Sequence, residues 1–183
     1  MREKPDKILG NRYQVLEKVG EGGMAQVYRG MDAKLNRPVA IKILYEHLSN
    51  DRDFLRRFKL EAKAAAKLAH PAIVNVFDEG EEGGLHYIVM EYVDGVTLKD
   101  IILHEERLRP EEAVRIALQI CDALIHAHNQ NVIHRDIKPQ NIGIALASPR
   151  QQLNMRLALE ELSLPFYTQD PGKLDYALFE NYV

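Results

Sequence analysis

The segment from His134 to Asn141 constrains this chain more than any other, because it concentrates three kinds of polar group in one short stretch. It reads His-Arg-Asp-Ile-Lys-Pro-Gln-Asn and directly follows a long stretch with helical apolar spacing. Asp136 can accept a hydroxyl proton, Lys138 can neutralise a phosphate, and the amide of Asn141 can hold a metal ion. Because the three fall within six positions, a short rigid loop can direct them at one point. Phosphoryl transfer requires such a loop, since its catalysis is mostly positioning and charge neutralisation.

The order of the predicted elements indicates two lobes. Extended apolar patterns predict strands at residues 13–19, 25–29, 38–44, 73–77 and 85–92, with a glycine-rich turn at 20–23 and a Gly/Glu turn at 79–84. One helix is predicted at 51–68, between the third and fourth of these strands. Beyond residue 94 the pattern becomes helical, with a helix at 97–104 capped by Thr97 and a long one opened by Pro110. The expected fold class is α+β, with the lobes joined near residues 91–94.

Composition and charge exclude several classes of protein. The chain has 183 residues, 46% hydrophobic and 28% charged, as expected of one globular domain or of two small lobes that share a cleft. Its formal charge of -3 argues against a dedicated nucleic-acid binder. No apolar run approaches the roughly 18 residues of a membrane span, and the first ten residues lack the apolar centre of a secretory signal.

The cysteine and histidine content predicts neither a disulfide nor a zinc site. Cys121 is the single cysteine, which fits a reducing compartment, so a cytoplasmic location is expected. Its apolar helical surroundings favour a buried structural thiol. His126 and His128 are two positions apart on a predicted helix and therefore do not share a face.

A lysine lies inside the apolar strand at 38–44. Burying an ammonium group is costly unless it is paired, so Lys42 needs a carboxylate or a phosphate nearby. Glu61, midway along the next predicted helix, is a candidate partner. Two alternatives remain open from the residues alone, since Lys42 can extend to solvent from an edge strand and Glu61 can be a surface residue. Gly20-x-Gly22 is weak evidence by itself, although such a turn can lay backbone N–H groups against phosphates.

Taken together, these motifs resemble the bacterial serine/threonine protein kinases that are related to the eukaryotic ones. A glycine-rich loop from Gly20, the sequence Val-Ala-Ile-Lys at 39–42 and the segment 134–141 occur in the family's order. The resemblance covers residues 11–142, more than two thirds of the chain. Lys138, two residues after Asp136, is similar to the serine/threonine branch rather than the tyrosine branch. The resemblance implies a two-lobed kinase fold, with an antiparallel-sheet N-lobe that carries one helix and a helical C-lobe, here incomplete.

The resemblance implies ATP and Mg²⁺ as cofactors. Gly20, Gly22 and Gly23 would cover the nucleotide phosphates. Lys42 would hold the α and β phosphates while it pairs with Glu61.

The same resemblance assigns the adenine pocket and the catalytic loop. Val27 and Ala40 would cover adenine from above, Met90 would lie at the back of the pocket, and backbone groups of Glu91 and Val93 would bind the adenine edge. In the loop, Asp136 would be the catalytic base, Lys138 would contact the transferring phosphoryl group, and Asn141 would bind magnesium. One departure is mild, because Ala25 replaces the last glycine of the loop pattern.

The resemblance breaks after Asn141. Gly143 stands where the family places a large apolar side chain under adenine, and family spacing puts the magnesium-binding Asp-Phe-Gly at residues 154–156, which read Asn-Met-Arg. No Asp-Phe-Gly occurs in the sequence. Residues 143–145 resemble the piece that normally follows Asp-Phe, which suggests an internal deletion. The expected divisions are an N-lobe with hinge at 1–93, a partial C-lobe at 94–142 and a divergent tail at 143–183.

The long helix is expected to bury one apolar face. Its members are Ala113, Ile116, Ala117, Ile120, Leu124 and Ile125. Without the remaining C-lobe helices of the family, part of that surface stays exposed unless the tail substitutes, and a homodimer through exposed apolar surface is one expectation. The sequence thus supports two functions: a kinase domain acting on protein Ser/Thr hydroxyls, truncated and impaired without Asp-Phe-Gly and an activation segment, or a non-catalytic ATP-binding remnant.

Overall fold

The computed structural model describes residues 7–105, 107–134, 136–145 and 154–157. A six-stranded antiparallel sheet forms the first lobe, with the strand order β1-β2-β3-β4-β6-β5. Its strands are β1 (Lys7–Leu9), β2 (Tyr13–Glu21), β3 (Ala25–Asp32), β4 (Arg37–Leu44), β5 (Val76–Glu82) and β6 (Leu85–Glu91). Two helices, α1 (Glu46–Ser49) and α2 (Arg52–Ala65), fall between β4 and β5 in chain order.

The second lobe holds the longer helix and a small sheet. Its elements are β7 (Gly95–Thr97), α3 (Leu98–Glu105), α4 (Pro110–Asn129), a 3₁₀ turn (Pro139–Asn141), β8 (Ile142–Ala145) and β9 (Asn154–Leu157). The sheet has the order β7-β8-β9 and is antiparallel. The α+β class is therefore confirmed, and the last strand of the larger sheet ends at Glu91. Among the described helices, none combines the length and apolarity needed to cross a membrane.

Side-chain caps explain where the helices begin. The carboxylate of Asp51 accepts hydrogen bonds from the backbone N–H groups of Asp53 and Phe54 at 2.9 and 3.3 Å, which starts α2. Thr97 Oγ1 accepts from the N–H of Asp100 at 3.1 Å, while Asp100 Oδ2 accepts from the N–H of Thr97 at 3.0 Å. This reciprocal pair caps α3 at the residue that the sequence indicated.

The turn between β5 and β6 is shorter than predicted. The sequence placed a turn at 79–84, but residues 79–82 belong to β5 and only Gly83 and Gly84 turn the chain. Both adopt positive φ, 58° and 80°, a conformation that side chains disfavour. The acidic residues that suggested a loop are mostly exposed strand residues, because a strand with one face in water tolerates charge.

Three apolar clusters hold the lobes together. One lies on the face of the sheet away from α2 and includes Leu9, Tyr13 and Val89. A second joins the sheet to α2 and contains Leu44, Phe58, Ala62 and Ile88. The third packs α4 against β8 and the segment after α2, with the members Leu68, Ala72, Ile73, Leu98, Ile116, Ala123, Ala127, Val132, Ile142 and Ile144. Because Ile73 and Leu68 belong to this last cluster, the segment that follows α2 is anchored in the second lobe.

The apolar face predicted for α4 is correct only in part. Ile116 is buried, and Ile120 and Leu124 are partly buried against the core. Ile125 is exposed and does not lie on that face, since it follows Leu124 by one position and therefore points about 100° away. Cys121, which the sequence placed in the core, is also exposed.

Candidate active site

The strand register aligns four of the residues assigned to the nucleotide pocket. Val27 of β3 pairs with Lys42 of β4, and Ala40 of β4 pairs with Met90 of β6. Directly paired residues share a face of an antiparallel sheet, and so do residues two apart on one strand. Val27, Ala40, Lys42 and Met90 therefore line one face. Gly20 is paired with Val27, which places the glycine turn at the edge of that face.

The glycine turn is not explained by the packing of the protein itself. The N–H of Gly22 donates to the carbonyl of Ala25 at 2.9 Å and closes the turn. A Cβ added at Gly22 would come no closer than 3.8 Å to another atom, and one at Gly23 would meet nothing within 4 Å. Neither glycine has a positive φ. Neither the packing of the described residues nor the backbone conformation therefore requires glycine at these two positions.

Lys42 and Glu61 form a buried ion pair. The distance from Lys42 Nζ to Glu61 Oε1 is 2.6 Å, and the side chains are 7% and 6% exposed. Helix α2 delivers Glu61 to the sheet because Phe58, Ala62 and Ala65, on the same side of the helix, are buried with it. At 7% exposure the ammonium group does not extend into water, which removes the edge-strand alternative.

The chain between the lobes is anchored at Glu91, the last residue of β6. The backbone N–H of Glu91 donates to the carbonyl of Asn75 at 2.8 Å, and Asn75 Nδ2 donates to Glu91 Oε2 at 2.8 Å. Asn75 was not singled out from the sequence, where a single asparagine before a strand carries no signal. Val93 follows in an irregular, partly exposed segment. The N–H of Glu91 is thus occupied within the protein.

The loop after α4 gathers the three polar groups predicted from the sequence. Lys138 Nζ lies 2.6 Å from Asp136 Oδ2. Asn141 Nδ2 donates to Asp136 Oδ2 at 3.0 Å and to the Asp136 carbonyl at 2.9 Å. The 3₁₀ turn Pro139–Asn141, opened by a proline, brings the amide back toward the carboxylate.

His134 fixes the backbone of this loop. It is buried, and its Nδ1 accepts a hydrogen bond from the N–H of Asp136 at 3.2 Å. The sequence had assigned His134 a packing role, and this hydrogen bond adds a specific contact to it. Arg135, between the two, lies outside the described residues.

The electrostatics of the loop keep Asp136 ionised. The hydrogen bond from Lys138 is the largest of the effects that lower the pKa of the Asp136 carboxyl, and the bond from Asn141 acts in the same direction. Partial burial raises the pKa of Asp136, and its effect is smaller than that of Lys138 but larger than that of Asn141. At neutral pH, Asp136 is therefore a carboxylate that can accept a hydrogen bond or a proton.

This loop offers one protein atom that could bind a magnesium ion, the side-chain oxygen of Asn141. Asn141 is 1% exposed, and its Oδ1 has no hydrogen-bond partner among the described residues. A buried amide oxygen without a donor is a ligand that Mg²⁺ accepts. The described residues contain no group of three or more acidic, histidine or cysteine side chains that could hold a metal.

The residues at 154–156, where family spacing put Asp-Phe-Gly, lie inside strand β9. Asn154 pairs with Ala145 and Arg156 pairs with Gly143 of β8. Residues 143–145 belong to β8, the central strand of the β7-β8-β9 sheet, which follows directly on the 3₁₀ turn. The internal deletion suggested from the sequence stays a hypothesis. Most of the tail expected at 143–183 lies outside the described residues.

Comparison with known sequences identifies relatives of this chain. The protein kinase domain family model matches residues 13–155. The chain is 52% identical over 136 residues to the serine/threonine-protein kinase PrkC of Bacillus subtilis, an alignment that covers 74% of this chain and 21% of that protein. It is 44% identical over 154 residues to the serine/threonine-protein kinase PknB of Mycobacterium tuberculosis, covering 82% of this chain and 25% of that protein. The chain thus spans a quarter or less of the length of these relatives.

Comparison with solved structures finds kinase domains with a similar fold. The PknI kinase domain of Mycobacterium tuberculosis, known from a crystal structure, superposes with a TM-score of 0.71 at 30% sequence identity. The superposition covers 85% of this chain and 61% of that one. Because the family model spans most of the sequence and the relatives are serine/threonine-protein kinases, the chain belongs to the protein kinase domain family.

Proposed function

We propose that this chain is a serine/threonine protein kinase domain that binds Mg-ATP and directs its γ-phosphate toward Ser or Thr hydroxyls of proteins, with impaired transfer. The observation that carries the proposal is the loop in which the side chains of Lys138 and Asn141 both lie within hydrogen-bond distance of the Asp136 carboxylate. Family membership supports the reaction class.

Each loop residue has a distinct task in this proposal. Asp136 accepts a hydrogen bond from the substrate hydroxyl and takes its proton, and a lowered pKa is adequate because the transition state of phosphoryl transfer is loose and needs little base strength. Lys138, now held by Asp136 at 2.6 Å, is partly exposed and can turn to a phosphoryl oxygen. Asn141 supplies Oδ1 to the magnesium ion, which when bound neutralises phosphate charge.

ATP binding is assigned to the face lined by Val27, Ala40, Lys42 and Met90, under the glycine turn. Lys42 would hold the α and β phosphates, oriented by Glu61, and the open space above Gly22 and Gly23 would accommodate the phosphates. Backbone groups of Glu91 and Val93 would meet the adenine edge. For Glu91 the carbonyl would serve, since its N–H is bonded to Asn75.

The impairment follows from the region after Asn141. A kinase normally holds its metal with an aspartate of Asp-Phe-Gly in addition to the loop asparagine. Here the sequence contains no Asp-Phe-Gly, and the residues at the expected spacing are paired in β9. With Asn141 as the single assigned ligand, magnesium would be held weakly and transfer would be slow.

A second function is favoured by the same observation. A chain that keeps Lys42 and Glu61 but lacks the second metal ligand would bind ATP without transferring phosphate and act as a regulatory module. The partners proposed are ATP and proteins bearing Ser/Thr, with no nucleic acid, and the proposed setting is cytoplasmic signalling. A homodimer through exposed apolar surface, expected from the sequence, is a further proposed assembly.

The deciding experiment is transfer of labelled γ-phosphate from Mg-ATP to the chain itself and to a generic Ser/Thr protein substrate. The matched control is Asp136→Asn, which keeps the size of the side chain and removes its charge. Label that disappears in the control supports the kinase. No label, together with ATP binding that is lost in Lys42→Met, supports the binding module, and the absence of both label and binding overturns both functions.

A further inference from the structure

The carboxylate of Glu21, in the glycine turn, is held by two residues from neighbouring segments. Lys18 Nζ lies 2.6 Å from Glu21 Oε2, and the hydroxyl of Tyr45 donates to Glu21 Oε1 at 2.5 Å. Lys18 precedes the turn on β2, whereas Tyr45 directly follows β4 and is 24 positions away from Glu21 in the chain. The contact with Tyr45 therefore ties the turn to a separate strand of the sheet.

Tyr45 also holds the other end of the turn. Its backbone N–H donates to the carbonyl of Met24 at 3.0 Å. Glu21 and Met24 flank Gly22 and Gly23, so one residue contacts the chain immediately before and immediately after these two glycines. Because glycine has access to more backbone conformations than other residues, contacts at both ends restrict a segment that is otherwise free to vary.

The strand register places the Glu21 side chain on the side of the sheet opposite the assigned nucleotide face. Gly20 is paired with Val27, which lies on the nucleotide face, and Glu21 is paired with Gln26. Successive residues of a strand point to opposite faces, so Glu21 and Gln26 point away from the nucleotide face. The hydrogen bond from Tyr45 holds the carboxylate on that outer side.

The position of this carboxylate matters because of its charge. The hydrogen bond from Lys18 is the largest of the effects that lower the pKa of the Glu21 carboxyl, and the bond from Tyr45 is the next. Glu21 is therefore ionised at neutral pH. A carboxylate on the inner side of a turn that covers phosphates would repel them, whereas on the outer side it lies farther from them.

We propose that Tyr45 is a positioning residue for the phosphates of ATP, acting through Glu21 and Met24 on the glycine turn. Its hydroxyl keeps the carboxylate on the outer side, and its N–H holds the chain after the glycines. A loop held in its binding conformation before the ligand arrives loses less entropy on binding, which raises the affinity. This role rests on the proposed function, in which ATP is the ligand of the site.

The affinities for Mg-ATP and for adenosine, measured by isothermal titration calorimetry, separate this role from a purely structural one. Adenosine has no phosphates, so a residue that acts through the glycine turn should affect the binding of ATP alone. In Tyr45→Phe, which removes the hydroxyl and keeps the ring, the affinity for ATP should fall about threefold, as expected for one exposed contact to a charged group. The affinity for adenosine should stay the same, and thermal unfolding reports the fold of the variant.

Tyr13→Phe is the matched control. The hydroxyl of Tyr13 donates to Asp78 Oδ2 at 2.6 Å, so this variant also removes a contact between a tyrosine and a carboxylate of the first lobe. Tyr13 is the first residue of β2, at the opposite end of that strand from the turn. The affinity of this variant for ATP should equal that of the unchanged chain.

A double-mutant cycle tests whether Tyr45 acts through Glu21. In a chain that already carries Glu21→Ala, the hydroxyl of Tyr45 has lost its partner, so adding Tyr45→Phe should leave the affinity for ATP unchanged. An equal loss of ATP affinity on adding Tyr45→Phe with and without Glu21 would show that the hydroxyl does not act through this carboxylate, and would overturn the proposal.

Amide hydrogen exchange of the nucleotide-free chain tests the turn itself. The N–H of Gly22 donates to the carbonyl of Ala25, and NMR should show it exchanging about threefold faster in Tyr45→Phe than in the unchanged chain. Equal exchange rates would overturn the proposal.

The titrations distinguish failure of this role from failure of the proposed function. If the unchanged chain binds ATP and Tyr45→Phe binds it equally well, Tyr45 does not position the phosphates and the proposed function stands. Equal losses of affinity for ATP and adenosine in Tyr45→Phe also overturn the role, because they show an effect on the whole pocket. If the unchanged chain does not bind ATP, the proposed function fails and the role of Tyr45 fails with it.

Discussion

The ammonium group of Lys42 lies 2.6 Å from the carboxylate of Glu61, with both side chains more than nine-tenths buried. Removing two charges from water is costly, and the attraction between them offsets that cost only while both are present. The intact pair therefore contributes little net stability, whereas removing one of the two charges by substitution is strongly destabilising. In the proposed function, the pair holds a cation ready for the phosphates of ATP.

A double-mutant cycle tests this balance. Glu61→Leu should lower the free energy of unfolding by about 3–5 kcal/mol because it removes the carboxylate that lies 2.6 Å from a buried ammonium group. Adding Lys42→Met to that variant should recover most of the loss, so that the double variant is more stable than Glu61→Leu alone. Equilibrium urea unfolding measures all four proteins. Additive losses would show that the two charges do not interact in solution.

The glycine turn should tolerate side chains for folding but not for ATP binding. In Gly23→Ala the new methyl group meets nothing within 4 Å, so the free energy of unfolding should stay the same or rise by about 0.4–1 kcal/mol. If phosphates lie against this backbone, the affinity for ATP should fall roughly tenfold, a loss of about 1.4 kcal/mol. Thermal unfolding and ATP titration give the two quantities.

Gly30→Ala is the matched control for the glycine turn. A Cβ there would lie 2.7 Å from the Gln14 carbonyl and would also overlap Ile41. That variant should lose about 1–3 kcal/mol of stability and keep its affinity for ATP wherever it remains folded. Equal affinities for ATP in Gly23→Ala and the unchanged chain would show that the turn is not a phosphate site.

Sequence patterns were sufficient to predict the features that depend on residues close together in the chain. Pro110 opens α4 and Thr97 caps α3 because those side chains act on backbone groups within one turn. The loop residues Asp136, Lys138 and Asn141 lie within six positions of one another, so their proximity follows from the chain. Lys42 and Glu61 are 19 positions apart, and only the burial cost of the lysine pointed to a partner.

The sequence-based predictions were wrong where contacts between distant segments determine the secondary structure or the burial of a residue. Residues 79–82 look like a loop by composition, but pairing with β6 makes them a strand. Ile125 and Cys121 lie in an apolar helical stretch, yet periodicity does not reveal that α4 has two apolar sides and that the described core covers one of them. The hydrogen bonds between Asn75 and Glu91 join residues 16 positions apart and have no local signal.

Asn141 should couple ATP binding to magnesium. Its Oδ1 is buried without a partner among the described residues, while its Nδ2 donates to Asp136. Asn141→Leu removes the candidate metal ligand, so the gain in ATP affinity on adding Mg²⁺ should drop by about tenfold, the worth of one hydrogen bond or ligand to a charged group. Titration of ATP with and without Mg²⁺ measures this gain. Gln140→Ala, at the exposed neighbouring position, should leave it unchanged.

An equal magnesium effect in Asn141→Leu and the unchanged chain would remove Asn141 from the metal site. The variant has a second expected consequence, because it also removes a hydrogen bond that lowers the pKa of Asp136. That pKa should rise toward its ordinary value, and carboxyl NMR shifts followed through an acid titration would report it.

Asp32 should make the stability of the N-lobe dependent on pH in the acid range. Its side chain is fully buried and accepts from Arg12 Nε at 2.9 Å and Nη2 at 2.7 Å. The Arg12 hydrogen bond, ahead of the N–H groups of Lys34 and Leu35, lowers the pKa of Asp32 from 3.8 to about 2. Because the folded pKa lies below the unfolded one, the stabilisation is complete above about pH 4 and is lost as the pH falls toward 2.

The substitution Asp32→Asn should therefore flatten the loss of stability between pH 4 and pH 2. A pKa shift of this size corresponds to about 2 kcal/mol. Between pH 4 and pH 2 the free energy of unfolding of the unchanged chain should therefore fall by about that much more than that of the variant. Urea unfolding at a series of pH values measures the difference. Asp53→Asn, at an exposed position on α2, is the control and should follow the unchanged chain. Parallel pH profiles for Asp32→Asn and the unchanged chain would contradict the ion pair with Arg12, because a carboxylate whose pKa is equal in the folded and unfolded states adds no pH dependence.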